Sequence, residues 1–263
     1  MVARKNTVYK VIGIGPQQES RHMTTNNPVR AGDPTLARRL GNAIKGDVLF
    51  DPFSRGRYST DASIYQIDPV GVVVPETEAD IESTMSIAKE AGVPVLPRGG
   101  GTSQCGQTVG EAVVMDVSRH LNRVLEFDAE AQTVWVEPGI VLDHLNEFLK
   151  PHGLWFPVDV STGSRATIGG MAGNNSCGAR SLKYGTMRDN VLAIDALLAD
   201  GSSMHFGELP ADLEDADFSL QHRGIVDSLM ELGRREADEI NARFPKLMRR
   251  VGGYNIDSLS PVT

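Results

Sequence analysis

Apolar residues in this chain fall in short runs whose period changes along its length. Val70-Gly-Val-Val-Val-Pro75 is a continuous apolar run bounded by prolines and predicts a buried strand. Thr77 to Ala91 follows with apolar positions at Ala79, Ile81, Met85, Ile87 and Ala88, a helical spacing. Thr77 with Asp80 forms a capping-box pattern at its start, and Gly92 stands just past its end. Val93-Pro-Val-Leu-Pro97 predicts a second strand, so this stretch is a strand–helix–strand crossover of right-handed sense. Ala112 to Asp116, Val124 to Asp128 and Thr133 to Glu137 then read as strands, with a turn at Ala129 to Gln132. Ile140 to Leu149 predicts an amphipathic helix with Ile140, Val141, Leu145, Phe148 and Leu149 on one side, ended by His152-Gly153. Val191 to Leu198 and Ser203 to Phe206 flank Asp200-Gly201, a hairpin signal. Gly224 to Phe244 predicts a helix with Ile225, Leu229, Leu232, Ile240 and Phe244 as its stripe. Upstream, Thr35 to Ile44 predicts one helix, with Asp33 or Thr35 near its cap and Pro34 just inside. Asp51 to Asp61 reads as a lead-in segment, and residues 209–222 as an acidic loop.

Two glycine-rich stretches interrupt this pattern. Pro97-Arg-Gly-Gly-Gly-Thr-Ser-Gln-Cys-Gly-Gln-Thr-Val-Gly110 leaves from the second strand of the crossover. Three successive glycines free the backbone to bring amide groups close to a ligand. Thr102 and Ser103 add hydroxyls and Arg98 a cation, a combination suited to a diphosphate. The second stretch runs Ser161-Thr-Gly-Ser-Arg-Ala-Thr-Ile-Gly-Gly-Met-Ala-Gly-Asn-Asn-Ser-Cys-Gly178. Two such loops imply a long, bent ligand held at several points. Neither is a Walker loop, which needs Gly-Lys-Ser/Thr, nor a Rossmann fingerprint, whose glycines join the first strand to its helix. A nicotinamide site is not expected.

Composition narrows the partners. The chain has 263 residues, 40% apolar and 23% charged, which is ordinary for a soluble domain or two. A net charge of −8 gives no basic footprint for nucleic acid, so a diphosphate must be bound by local donors. No apolar run approaches the length of a membrane span. Met1 to Lys10 is basic, but the apolar patch Val8 to Ile14 is short and interrupted, and is not read as a secretory signal; Met23 is an alternative start. A reducing cytoplasm is the expected compartment, with peripheral attachment to the inner membrane as the alternative. Cys105 and Cys177 each sit inside a glycine-rich loop and follow no metal-ligand spacing. The six histidines, His22, His120, His144, His152, His205 and His222, form no close metal pattern, and no metal site is expected.

Five segments occur in an order that resembles a known family: Pro97-Arg-Gly-Gly-Gly-Thr-Ser103, Val136-Glu-Pro-Gly139, Pro157-Val-Asp159, Thr167-Ile-Gly-Gly170 and Lys183-Tyr-Gly185. Together they are similar to the FAD-binding domain of the vanillyl-alcohol oxidase / p-cresol methylhydroxylase superfamily. The nearest branch is the FAD-linked 2-hydroxyacid dehydrogenases, including those for D-lactate and D-2-hydroxyglutarate. The resemblance implies an α+β fold of the two-subdomain PCMH type, a small βαβ subdomain plus a mixed or antiparallel sheet subdomain with flanking helices. Residues 1–50 would be a partly irregular lead-in and 51–250 the FAD-binding domain. Within it, subdomain one would cover about 65–117 and subdomain two about 118–210, followed by a connecting helix. Arg249-Arg-Val-Gly-Gly-Tyr-Asn-Ile-Asp257 resembles the passage into a substrate domain, of which 251–263 would be the start.

Carried onto this chain, the resemblance places the FAD diphosphate on Arg98, Gly99, Gly100, Gly101, Thr102 and Ser103, with Gly106 and Gln107 beside it. Gly139 would let the backbone pass close to the cofactor. Pro157, Thr162, Gly163, Ser164, Thr167, Ile168, Gly169, Gly170, Gly173, Asn174 and Asn175 would line the groove. Gly178, Tyr184 and Gly185 would close its flavin end, and Val191 to Ile194 would meet the adenine part. For a single polar residue such as Asn174 or Tyr184, local turn or core hydrogen bonding is the competing role. Some relatives attach FAD covalently through a histidine in the first loop; none stands here, so non-covalent FAD is expected. The implied reaction is hydride removal from a 2-hydroxy acid to flavin, with electrons passing to a quinone, a cytochrome or an iron–sulfur protein. An iron–sulfur cluster would belong only to a further C-terminal region. Arg180 and Arg188 are available for a substrate carboxylate or for solvent, and no general base is identified. The alternative is a flavin-binding module with no turnover of its own because the substrate domain is absent, and the piece alone is expected to be inactive.

Overall fold

The computed structural model describes residues 29–209, 219–247 and 253–259. Met23 and the rest of the expected N-terminal lead-in before residue 29 lie outside these, as do most of the acidic 209–222 stretch and residues 249–252 of the Arg249–Asp257 motif.

The first elements among the described residues are α1 (Pro34–Ala43), β1 (Asp47–Leu49) and α2 (Pro52–Tyr58). Asp33 is the cap of α1: its carboxylate accepts from the N–H groups of Thr35 (2.9 Å) and Leu36 (2.7 Å). Helix α2 falls in the stretch expected to be a lead-in segment. Its start carries the same signals, since Asp51 accepts from Ser54 N–H at 2.9 Å and Pro52 sits at the first position. It was hidden because Arg55-Gly-Arg57 breaks any apolar periodicity.

Next come β2 (Gly71–Val74), α3 (Glu78–Ala91), β3 (Val95–Arg98) and β4 (Val113–Asp116). The four strands form one sheet in the order β1-β2-β4-β3. β4 runs parallel to both β2 and β3, and β1 lies antiparallel on the edge. Every residue of β2 and β4 is buried, as expected of central parallel strands covered on both faces. Leu36 and Leu40 of α1 and Ile81 and Met85 of α3 share the main core with Val73, Val113 and Met115. The capping box at Thr77 and Asp80 is present, and Gly92 takes the left-handed conformation at φ 68°. Asp80 is nearly inaccessible and accepts main-chain bonds from Lys45 (3.0 Å), Gly46 (3.1 Å) and Glu76 (2.9 Å). Burial works to raise its pKa, but these bonds outweigh it and hold the carboxyl below its ordinary value.

The remaining strands form two antiparallel hairpins, β5 (Val124–Asp128) with β6 (Thr133–Val136), and β7 (Ile194–Leu197) with β8 (Ser203–Phe206). Between them lie α4 (Leu142–Leu149), α5 (Ile168–Gly173), α6 (Ser181–Tyr184) and α7 (Met187–Asn190). On α4, Leu142, Leu145 and Leu149 are buried while Phe148 is exposed, so its inner face is rotated from the expected one. The helix expected over Gly224 to Phe244 is two, α8 (Leu220–Arg235) and α9 (Ala237–Arg243), parted at Glu236. Ser219 caps α8 by accepting from His222 N–H at 3.1 Å. The buried positions are Val226, Gly233 and Ile240, whereas Leu229 is exposed. Gly233 takes part because the main chain at Leu259 lies against it, and an apolarity pattern does not register a glycine contact.

Candidate functional site

The first glycine-rich loop leaves the carboxyl end of β3, which lies beside that of β4. Ligands of parallel sheets settle outside these ends. A cleft of about 630 Å³ at the opposite ends, lined among others by Arg30, Asp68, Lys89 and Glu111, touches neither glycine-rich loop. None of the N–H groups of Gly99, Gly100, Gly101, Thr102 and Ser103 donates to another described residue. The residues are only partly covered, so the stretch presents a row of main-chain donors.

Two close approaches fix this row against the second loop. A Cβ on Gly99 would collide with Thr167 Oγ1, and one on Gly100 with the Arg165 carbonyl oxygen. The loops are therefore in contact, with glycine required on one side. Gln107 bridges them again: its Nε2 donates to Asn174 Oδ1 at 3.1 Å, and its Oε1 accepts from Ser103 Oγ at 2.8 Å. Gly106 turns the chain beneath the Tyr65 ring.

The second loop rests on the stretch Pro138–Asp143 through main-chain bonds. Leu142 N–H donates to Ala166 (3.0 Å), Asp143 to Gly163 (3.1 Å), Ile168 to Ile140 (2.9 Å) and Gly169 to Pro138 (2.8 Å). Thr162 supplies the carbonyl that turns the chain at Arg165 and Ala166, with Ser164 exposed at the tip. Thr167 caps α5 by accepting from Gly170 N–H at 3.3 Å. Gly170 and Gly173 are exposed, and Ile168 packs into the apolar cluster around Leu142 and Val158, next to the half-buried Pro157. Gly139 is different. A Cβ there would meet the carbonyls of Val117 and Leu121, so the close approach it allows is to the protein's own backbone.

Farther along, Asn175 takes a positive φ of 45° and accepts from Arg188 N–H at 3.0 Å. Gly178 lies against the Asp159 carbonyl, and Arg180 N–H donates to the Asp159 carboxylate at 2.9 Å. Tyr184 meets Trp155 edge-on, with centroids 5.3 Å apart and both rings over a third exposed. The Arg180 guanidinium lies 4.9 Å from the Trp155 centroid, with Asp159 at 3.8 Å. Arg188 is engaged by Asp189 (3.5 Å) and by Ser258 Oγ (2.9 Å). Gly185 turns into the capping box of Thr186 and Asp189 at the start of α7. Val191 joins the cluster around Met187, and Ile194 opens β7. These last residues are held by partners other than the first loop.

Tyr58, Asp61, Thr108, Asp116 and Trp155 were not among the expected site residues. Tyr58 Oη donates to Asp116 Oδ2 at 2.7 Å, and Asp61 Oδ2 accepts from Thr108 Oγ1 at 3.0 Å. Burial first, and then the Asp116 contact, push the Tyr58 phenol far above its ordinary pKa, so it stays protonated as a donor. The one readable signal was Asp116, a carboxylate closing an otherwise apolar run.

The profile of a protein family described as an FAD binding domain matches residues 69–207. D-2-hydroxyglutarate dehydrogenase of Pantoea ananatis is 38% identical over 216 residues, 80% of this chain and 21% of that protein. The glycolate oxidase subunit GlcD of Bacillus subtilis is 37% identical over 168 residues, 62% of this chain and 36% of that protein. The chain thus spans about a fifth to a third of the length of these relatives. Among solved structures, an alkyldihydroxyacetonephosphate synthase superposes with a TM-score of 0.60 at 22% identity, covering 79% of this chain and 41% of its own. That likeness shows a shared fold.

Proposed function

The chain belongs to the FAD binding domain family, and we propose that it forms the cofactor-binding part of an enzyme that oxidises a D-2-hydroxy acid, D-2-hydroxyglutarate first among them. The observation that carries the reading is the row of unengaged main-chain donors at residues 99–103, pressed against a second glycine-rich loop. A diphosphate fits such a row, because amides supply directed donors without a cation. Gly99, Gly100 and Gly101 keep the surface bare, Thr102 and Ser103 flank it, and Gln107 with Asn174 holds the loops in register. When bound, the flavin supplies the acceptor for the substrate's hydride. The chain's own residues bind and orient. The exposed Trp155 and Tyr184 rings offer apolar surface at the flavin end, and the exposed Arg180 side chain beside them is a cation open to a substrate carboxylate.

The relatives named for D-2-hydroxyglutarate and glycolate support a 2-hydroxy acid. No helix among the described residues is long and apolar enough to cross a membrane. Independently of that, we propose a cytoplasmic protein, with peripheral attachment to the inner membrane as the alternative, passing electrons to a quinone, a cytochrome or an iron–sulfur protein. FAD is held without a covalent bond, since no histidine stands in the first loop. Acid-precipitated, washed protein is expected to be colourless with FAD in the supernatant, and a yellow pellet contradicts this.

Anaerobic mixing with D-2-hydroxyglutarate, D-lactate and glycolate tests the reaction. Bleaching of the flavin band by one of them is the expected result in a protein that carries the substrate domain as well. A flavin-loaded protein bleached by none is a binding module without turnover of its own.

A further inference from the structure

Resting on the FAD reading above, we propose that Arg98 is a positioning residue that clamps residues 99–103 into their donor-presenting shape and does not itself contact the cofactor's phosphates. Its Nη1 donates to the carbonyls of Tyr58 (3.1 Å) and Thr108 (3.2 Å), and its Nη2 to that of Thr60 (2.9 Å). The guanidinium also lies 5.2 Å from the Tyr58 ring centroid and against the Cα of Gly101, which sits at φ +63°. Both Nη1 hydrogens are thereby committed, and the plane of the group is fixed between ring and loop.

The segment on the far side of the clamp is itself held. Tyr58 is tied to Asp116 through its hydroxyl, Asp116 is tied to Ser118 Oγ at 2.6 Å, and Ala62 N–H reaches the Gly101 carbonyl at 3.1 Å. Asp61 closes the ring by accepting from Thr108. The first glycine-rich loop is thus stitched to residues 58–62 by side chains from both directions.

Charge points the same way. Arg98 sits with two carboxylates, Asp116 and Asp61, which offset its charge, while a second cation, Arg57, acts on the neighbouring Tyr58. The two carboxylates weaken what the guanidinium can offer a phosphate, and the unengaged amides of 99–103 are the donors that remain. A carbonyl-seeking guanidinium explains why arginine stands at this position. A lysine ammonium has three donors on a flexible stem and cannot reach three carbonyls while stacking on a ring.

The test uses the full chain with Arg98→Lys, Arg98→Met and Tyr58→Phe. Amide hydrogen exchange is read without ligand at Ala62, whose N–H is held by the Gly101 carbonyl, and at Thr108 in the loop, whose N–H is held by Asp61; the FAD dissociation constant is read at two salt concentrations. If Arg98 is a clamp, Lys fails as Met does: exchange in the loop accelerates and FAD binds roughly tenfold or more weakly. Tyr58→Phe gives a loss of roughly threefold, and the salt dependence of binding stays that of the parent in every variant. The proposal is overturned if Arg98→Lys keeps parental exchange and affinity, or if Arg98→Met loses the parental salt dependence, the mark of a direct charge contact. Should Arg98→Met not fold, unchanged loop exchange in Tyr58→Phe overturns it equally. If the parent protein takes up no FAD, the cofactor reading fails while the exchange data still decide the clamp.

Discussion

The two glycine-rich loops are built on opposite plans. Side chains hold the first: Arg98 on three carbonyls, Asp61 on Thr108, and Ser103 and Gln107 on each other. Main-chain bonds to Pro138–Asp143 hold the second, with glycines where backbone meets backbone. Among the described residues no carboxylate accepts from the main chain of residues 161–173. The first plan leaves the loop's own N–H groups unengaged, because the anchoring is done by groups outside the row. The second engages many of those groups, the N–H of Gly163, Arg165, Ala166, Ile168, Gly169, Gly170 and Met171 among them, and forms a supporting wall. A loop that must present donors is anchored by side chains, and a loop that must only support it is anchored through its backbone.

The largest effect is expected where the second plan depends on a missing side chain. Gly139→Ala places a Cβ against the carbonyls of Val117 and Leu121, which are backbone atoms that cannot swing aside. The cost is about 3 kcal/mol, or a fall in Tm of roughly 6–12 °C at this size, read by calorimetric melting. A melting point unchanged from the parent would break the account of the supporting wall.

The contrast is sharpened by acid. Burial works to raise the pKa of Asp61, but bonds from Ser63 and Thr108 outweigh it, and the carboxyl is held below its ordinary value. Its contribution is complete above the unfolded pKa of about 3.9 and is lost as pH falls through the lower folded value. Loop one should therefore loosen in that acid window before loop two does, seen as faster amide exchange in residues 99–108 alone. Asp61→Asn should remove the pH step and weaken FAD binding by about threefold to tenfold at neutral pH. Equal acceleration in both loops would erase the distinction.

The smallest effect belongs to the bridge between the plans. Gln107→Ala removes the bond to Asn174 and the one from Ser103, while leaving the Arg98 and Asp61 anchors of the first loop and the main-chain bonds of the second in place. FAD affinity should fall by about twofold, worth about 0.5 kcal/mol for a half-exposed bond. A loss as large as that from Asp61→Asn would mean the loops depend on one another more than their separate anchoring implies.

Much of this was legible in the sequence. The Val70–Pro75 strand, the Thr77–Asp80 box and the Asp200-Gly201 hairpin are local signals, and each appears where those signals put it. Both glycine-rich loops were visible as donors, and they do meet. Two kinds of information were out of reach. Which carbonyls take up Arg98 depends on a segment some forty positions upstream, brought near only by the sheet. The resemblance sets Gly139 beside the cofactor, and the fold adds a need that the sequence does not display, since a Cβ there meets the carbonyls of Val117 and Leu121.

The most direct measurement is isothermal titration of FAD into the ligand-free chain, paired with amide exchange of residues 99–103. The account predicts uptake of one FAD per chain together with slowed exchange across that row. A folded protein that takes up no FAD, or one whose bound FAD leaves exchange at residues 99–103 unchanged, would contradict it.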